Sequence, residues 1–131
     1  MQIFVPAETR SGEKRVALVP DIISKLTRAG LSVSIESGAG INAGAPDSEF
    51  SNAGATVISA SQSKAALSSA DVVLSVQPLS PETFASLKSG AITISFLSTV
   101  TANENIEAAT KAGVTAISLE LVPRISRAQS M

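Results

Sequence analysis

Residues 19–36, VPDIISKLTRAGLSVSIE, decide the class of fold. Residues 19–29 predict a helix, because Pro20 suits a first turn and the apolar side chains recur on one face. Gly30 supplies the left-handed residue that commonly ends a helix. Residues 31–36 carry β-branched Val33 and Ile35 in alternation with polar residues, which predicts a strand. A helix that leads directly into a strand is typical of a βαβ unit.

The same alternation continues along the whole chain. Further strands are predicted at residues 2–5, 55–58, 71–76, 91–96 and 114–119, and further helices at residues 47–54, 62–67, 81–87 and 103–112. Alternation of this kind implies a mostly parallel sheet with helices on both faces. We therefore predict a single α/β domain over residues 1–131, a three-layer fold of the flavodoxin-like or Rossmann-like kind.

Composition excludes several classes of function. The 131 residues are 44% hydrophobic with a formal net charge of −1, which argues against a disordered chain and against a nucleic-acid binder. The chain contains no Cys and no His, so thiol chemistry, Ser-His-Asp catalysis and His-ligated zinc cannot be built from it alone. No apolar run is long enough to span a membrane, and the first residues do not form a signal peptide.

A glycine-rich stretch, residues 37–44, follows the second predicted strand. Gly38, Gly40 and Ala43 match the G-x-G-x-x-A spacing of a dinucleotide-binding turn. In that motif the helix opens within the glycines, so that its N-terminus faces the pyrophosphate. Here the helix is delayed to about Asp47, and no acidic residue ends the next strand. We predict that the domain lacks a dinucleotide fingerprint of its own and that this stretch is a connection.

A charged cluster follows the first predicted strand: Glu8, Arg10, Glu13, Lys14 and Arg15. Ligands of parallel sheets gather beyond the carboxyl ends of strands, and arginine suits a carboxylate or a phosphate. A solvated charged loop is the alternative, and composition alone favours it.

The end of the sequence, residues 123–131, reads PRISRAQSM and resembles the start of a polar helix. Helix N-termini and arginine bind anionic groups, and a glutamine amide can orient a planar carboxamide. The candidate binding residues here are Arg124, Ser126, Arg127, Gln129 and Ser130. An ordinary polar helix start explains the same residues without any ligand.

These motifs together resemble one family. The stretches EKRVALVP (residues 13–20), 38–44, VQP (residues 76–78) and 123–131 occur together and in order. The chain looks like the N-terminal segment shared by alanine dehydrogenase and the alpha subunit of proton-translocating NAD(P) transhydrogenase. The resemblance covers essentially all 131 residues, and the terminal motif points to the transhydrogenase branch.

Two departures bear on the choice of branch. Alanine dehydrogenases have a lysine where this chain has Ser75 and a histidine near the position of Ser98. With an arginine that matches Arg15, these groups handle pyruvate in that family. Because only Arg15 is kept, the resemblance implies an anion site at Arg15 without the acid-base group needed for alanine oxidation.

The resemblance further implies two α/β domains around a cleft, with an NAD-binding Rossmann domain beyond Met131, so that the chain is expected to be truncated before it. Residues 124–129 would reach the nicotinamide of NAD(H), with Arg124 as the polar contact and Gln129 between the two nucleotides. The implied reaction is direct hydride transfer from NADH to NADP⁺ on a partner subunit, coupled to proton translocation. The 131-residue segment alone is expected to be inactive.

The implied partners are the transhydrogenase beta subunit, a membrane domain and a second alpha subunit in a homodimer. The implied location is the cytoplasmic face of the inner membrane, with this chain soluble and peripheral. Two alternatives stay open at this point. One is an alanine dehydrogenase-like or saccharopine dehydrogenase-like oxidoreductase that binds an oxo acid through Arg15, and the other is a non-catalytic interaction domain.

Overall fold

The computed structural model describes residues 1–99 and 103–123. Six strands alternate with five helices in the order predicted from the sequence. The strands are β1 (Gln2–Val5), β2 (Ser32–Glu36), β3 (Thr56–Ile58), β4 (Val72–Leu74), β5 (Ile92–Ser95) and β6 (Thr115–Ser118). The helices are α1 (Pro20–Arg28), α2 (Asp47–Asn52), α3 (Ser63–Ser69), α4 (Pro81–Ser86) and α5 (Asn103–Ala112). Short 3-10 helices, which the sequence patterns did not indicate, cover Ile41–Ala43, Ala60–Gln62 and Leu119–Leu121.

The first helix ends as its sequence predicts. Pro20 begins α1, where its missing N–H leaves no hydrogen bond unmade. At the other end Gly30 has φ +85°, and the Leu31 N–H donates to the carbonyl of Leu26 at 3.1 Å. This left-handed glycine closes the helix and turns the chain directly into β2.

All pairings in the sheet are parallel, and the strand order is β3-β2-β1-β4-β5-β6. This order confirms the predicted Rossmann-like α/β class. The chain runs outward from β1 in one direction, then crosses back to β4 and runs outward in the other. The point between β1 and β4 where the direction reverses is therefore the expected place for a ligand.

The core has two layers, one on each face of the sheet. Val5 packs with Ile23 of α1 and Phe50 of α2 on one face. Its neighbour Phe4 packs on the other face with Phe84 of α4. Successive residues of a strand point to opposite faces, so β1 contributes to both layers and is buried at both.

None of the helices within residues 1–99 and 103–123 is long and apolar enough to cross a membrane.

Candidate functional site

A cleft of 590 Å³ lies where the strand order reverses. Its lining comes from the loop after β1, the loop after β4 and the turn after β5, which all leave the carboxyl edge of the sheet. Polar lining residues include Glu8, Arg10, Ser75, Gln77, Ser98 and Asn105. The volume lies in the range of pockets that hold small molecules, and its place is the one at which open α/β sheets bind ligands.

Gln77 holds the loop after β1 against the loop after β4. Its side-chain amide N–H donates to the Glu13 carboxylate, and its Oε1 accepts from Arg10 Nη1 at 3.0 Å. Its backbone N–H donates to Glu8 Oε2 at 3.2 Å, while Glu8 Oε1 accepts from the backbone N–H of Val76. The charged cluster after β1 is thus part of a hydrogen-bond network at the cleft, and this arrangement overturns its interpretation as a merely solvated loop.

Arg15 is bound by Glu13 in a fork. Arg15 Nε and Nη2 lie 2.8 Å from the two carboxylate oxygens, and the guanidinium carbon lies 5.9 Å from the centroid of the Phe96 ring. The hydrogen bonds from Arg15 and then Gln77 hold the pKa of Glu13 well below its ordinary value. The same pairing raises the pKa of Arg15, so this pair stays ionised at neutral pH.

The side chain of Arg15 is 62% exposed, whereas that of Glu13 is 6% exposed. Arg15 does not line the described cleft but lies beside it through Glu13 and Gln77. An anion that approaches Arg15 meets a guanidinium with two donor atoms already bound to Glu13. The anion site at Arg15 stays a prediction.

The two positions at which alanine dehydrogenases were expected to differ come together in the cleft. Ser75 is 4% exposed, and its hydroxyl donates to the backbone carbonyl of Gln77 at 2.9 Å. Ser98 lines the same cleft from the turn after β5 and has a left-handed φ of +56°. The lining, as far as the described residues form it, includes no lysine, and the sequence has no histidine.

Glu120 was not recognised from the sequence. Its carboxylate accepts the backbone N–H of Thr99 at 2.8 Å and that of Ser98 at 3.2 Å. These contacts hold the pKa of Glu120 below its ordinary value, with the Thr99 N–H as the main cause. The sequence signal was slight, since Glu120 is one acidic residue between Leu119 and Leu121.

The glycine-rich stretch is closed by its own carboxylate. Asp47 Oδ1 accepts the backbone N–H of Gly38 at 2.9 Å, and Oδ2 accepts the Ser37 hydroxyl at 2.6 Å. A Cβ at Gly40 would lie 2.4 Å from Cε2 of the buried Phe50, so this glycine is required for packing. The stretch connects β2 to α2, in agreement with the prediction that it is no dinucleotide fingerprint.

The terminal candidates Arg124, Ser126, Arg127, Gln129 and Ser130 lie outside the described residues, of which Pro123 is the last. Within the described ranges, no group of three or more acidic side chains is placed to hold a metal ion.

Comparison with known proteins shows the family. The family model "Alanine dehydrogenase/PNT, N-terminal domain" matches residues 4–131, so the chain belongs to this family. An NAD(P) transhydrogenase subunit alpha of Rhodospirillum rubrum is 45% identical over 100% of this chain, which covers 35% of that protein. The predicted resemblance to an N-terminal transhydrogenase alpha segment is thus confirmed.

Solved structures agree with this assignment. The transhydrogenase of Sinorhizobium meliloti matches with a TM-score of 0.91 at 37% identity, over 100% of this chain and 38% of that one. An L-alanine dehydrogenase matches with a TM-score of 0.86 at 32% identity, over 98% of this chain and 35% of that one. The chain spans about a third of the length of the Rhodospirillum relative.

Proposed function

We propose that this domain is the first domain of the NAD(H)-binding subunit of a proton-translocating NAD(P) transhydrogenase. The observation that carries the proposal is the pair Ser75 and Ser98 in the cleft, where alanine dehydrogenase chemistry needs a lysine and a histidine. A cleft without either group cannot supply the proton transfers of alanine oxidation. Hydride exchange between two nicotinamides requires no such group, and the transhydrogenase relatives favour that reaction.

The cleft fits the nicotinamide end of NAD(H) better than the whole dinucleotide. Its 590 Å³ suits a ring and a ribose, while the glycine-rich stretch lies elsewhere with an amide bonded to Asp47. We therefore propose that the pyrophosphate and adenosine are held by a second domain. The bound nicotinamide supplies the hydride, which leaves NADH with both electrons of its C–H bond and adds to NADP⁺.

The domain's own contribution to such a reaction is orientation and the exclusion of water. Direct transfer needs the two nicotinamide carbons about 3–3.5 Å apart. The network around Gln77 keeps the two loops that form the cleft wall together, so the ring meets a preformed surface. Arg124 is proposed to bind the nicotinamide, and Gln129 to lie between the two nucleotides. Ser126, Arg127 and Ser130 are proposed to assist them.

The proposed assembly follows from the same relatives. They are alpha subunits of transhydrogenases, which implies a beta subunit as partner. We propose that this partner holds NADP(H), that two alpha subunits form a homodimer, and that a membrane domain couples the reaction to proton movement. The alpha subunit would then be peripheral to the cytoplasmic face of the inner membrane.

The test is Arg124→Ala in the full-length subunit. We expect NADH affinity to fall about tenfold, as for loss of a charge-assisted hydrogen bond, or hydride transfer to slow by a similar factor. Fluorescence titration of NADH and steady-state transfer assays with the partner subunit measure both. Arg28→Ala, which removes an exposed arginine from α1, is the matched control and should change neither.

Unchanged binding and kinetics in Arg124→Ala would remove Arg124 from the site. The alanine dehydrogenase-like alternative predicts a different result in the same assays. Pyruvate would then stabilise the protein through Arg15 without any partner subunit, as a shift in the thermal unfolding temperature that Arg15→Ala abolishes.

A further inference from the structure

Two successive backbone N–H groups at the cleft point at one carboxylate. Ser98 adopts φ +56°, and its N–H and that of Thr99 both donate to Glu120, at 3.2 Å and 2.8 Å. Successive amides of this kind form a concave anion site. A non-glycine residue in the left-handed region is held there only by its surroundings, and Glu120 is the charged group that does so here.

This contact joins two parts of the chain that the sequence separates by more than 20 residues. Ser98 follows β5 and lines the cleft, while Glu120 lies in the 3-10 helix that follows β6. Because β5 and β6 are parallel neighbours, both segments leave the same edge of the sheet. Glu120 thus connects the cleft wall to the segment that leads into residues 124–129.

The connection from Glu120 to Arg124 is short and stiff. Four residue steps span at most about 13 to 14 Å of extended chain. Pro123 has a fixed φ, and Val122 before it is restricted to extended backbone, as its ψ of 125° shows. Fixing Glu120 at the Ser98 turn therefore limits how far Arg124 can lie from the cleft.

We propose that Glu120 is a positioning residue for the nicotinamide contact: its carboxylate fixes the Ser98–Thr99 turn of the cleft to the segment that carries Arg124. The inference rests on the proposed function, since it gives Glu120 a role only if Arg124 binds the nicotinamide. Glu120 itself touches no reacting atom and acts through the backbone.

The experiment is a double-mutant cycle in the full-length subunit, with Glu120→Gln, Arg124→Ala and the double variant. Glu120→Gln replaces one of two acceptor oxygens with an N–H₂ group that faces a backbone N–H, so we expect NADH affinity to fall about fivefold. If Glu120 acts through Arg124, the same change costs less than about twofold once Arg124 is alanine, because residues of one unit are not additive.

Two further variants make the result specific. Glu107→Gln removes the same charge from an exposed position of α5 and should leave NADH affinity unchanged. Glu120→Asp keeps the charge on a shorter side chain, so we expect a loss smaller than that of Glu120→Gln. It also serves as the test if the glutamine variant does not fold.

The outcomes are distinct. Parent NADH affinity in folded Glu120→Gln, with or without a lower unfolding temperature, would overturn the inference and leave the proposed function intact. Equal losses from Glu120→Gln in both backgrounds would likewise overturn it, because a purely structural effect is additive. Unchanged affinity in Arg124→Ala would contradict the proposed function itself, and the inference would fall with it.

Discussion

Gly40 shows at the scale of one residue why a glycine-rich motif can have a structural cause. Its φ is not left-handed, so the backbone does not require glycine. A Cβ at this position would lie 2.6 Å from the Ala45 carbonyl oxygen and 2.4 Å from the ring of Phe50, which is fully buried. Gly40 is therefore required by the close approach of α2, although its spacing from Gly38 matches a nucleotide-binding motif.

Gly40→Ala should destabilise the protein by about 1–3 kcal/mol, because the added methyl group forces the Phe50 ring or the backbone at Ala45 to move. Urea denaturation followed by circular dichroism measures the change. Gly44→Ala is the control: Gly44 has φ +82° with no atom within 4 Å of a Cβ, so that variant reports backbone strain alone. An unchanged urea midpoint in Gly40→Ala would show that the approach of α2 is looser than described.

At the scale of elements, Asp47 joins the glycine-rich connection to α2. It is the first residue of the helix, and its carboxylate faces back to Ser37 and Gly38 at the end of β2. The hydrogen bond from Ser37 and then that from Gly38 lower the pKa of Asp47. The sequence indicated Asp47 as a helix start, but its bond to Gly38 follows only from the fold of the loop.

This contact has a pH dependence with a definite sign. A carboxyl whose pKa is lowered on folding stabilises the protein above its unfolded pKa, and this stabilisation is lost as pH falls through the folded pKa. Asp47→Asn should therefore lower stability at pH 7 by about 1 kcal/mol, a modest amount because solvent screens the carboxylate. The difference from the parent should vanish below about pH 3, under the ordinary aspartate pKa.

Urea unfolding at a series of pH values between about 2 and 7, which brackets the ordinary aspartate pKa, measures this prediction. Asp21→Asn, an acidic residue in the first turn of α1, is the matched control for loss of a helix-start carboxylate. A parent and an Asp47→Asn variant with parallel stability curves over the whole pH range would contradict the assigned role.

At the scale of the whole molecule, the strand order creates the cleft. Only because β4 lies beside β1 do the loops that follow them meet, and Glu8 reaches backbone groups 68 and 69 residues away. The crossover of the chain from β3 to β4 thus decides which polar residues face one another. The same crossover places Ser75 and Ser98 in one lining.

The 131-residue segment by itself should bind NADH weakly or not at all, because its cleft fits the nicotinamide end and the glycine-rich stretch is closed by Asp47. Fluorescence titration of NADH measures this, and the full-length subunit in the same buffer is the positive control. A submillimolar dissociation constant for the segment would show that the nucleotide site lies within these residues.

The class of fold was predictable because it depends on local periodicity. Apolar residues at helical spacing in α1, the glycine that ends it and the alternation in β2 are properties of neighbouring residues, so sequence alone indicated α/β layers and the order of the elements. The resemblance to the transhydrogenase segment was likewise carried by short motifs in the printed order.

The site was decided by tertiary structure. The partners of Gln77 and Glu120 lie more than 20 residues away for every contact across the cleft, and they depend on which strands are adjacent. Local sequence therefore predicted that polar residues would gather at the carboxyl ends of the strands, but not that Gln77 and Glu120 would bind them together. Strand order is a long-range property, and hydrogen bonds between loops follow from it.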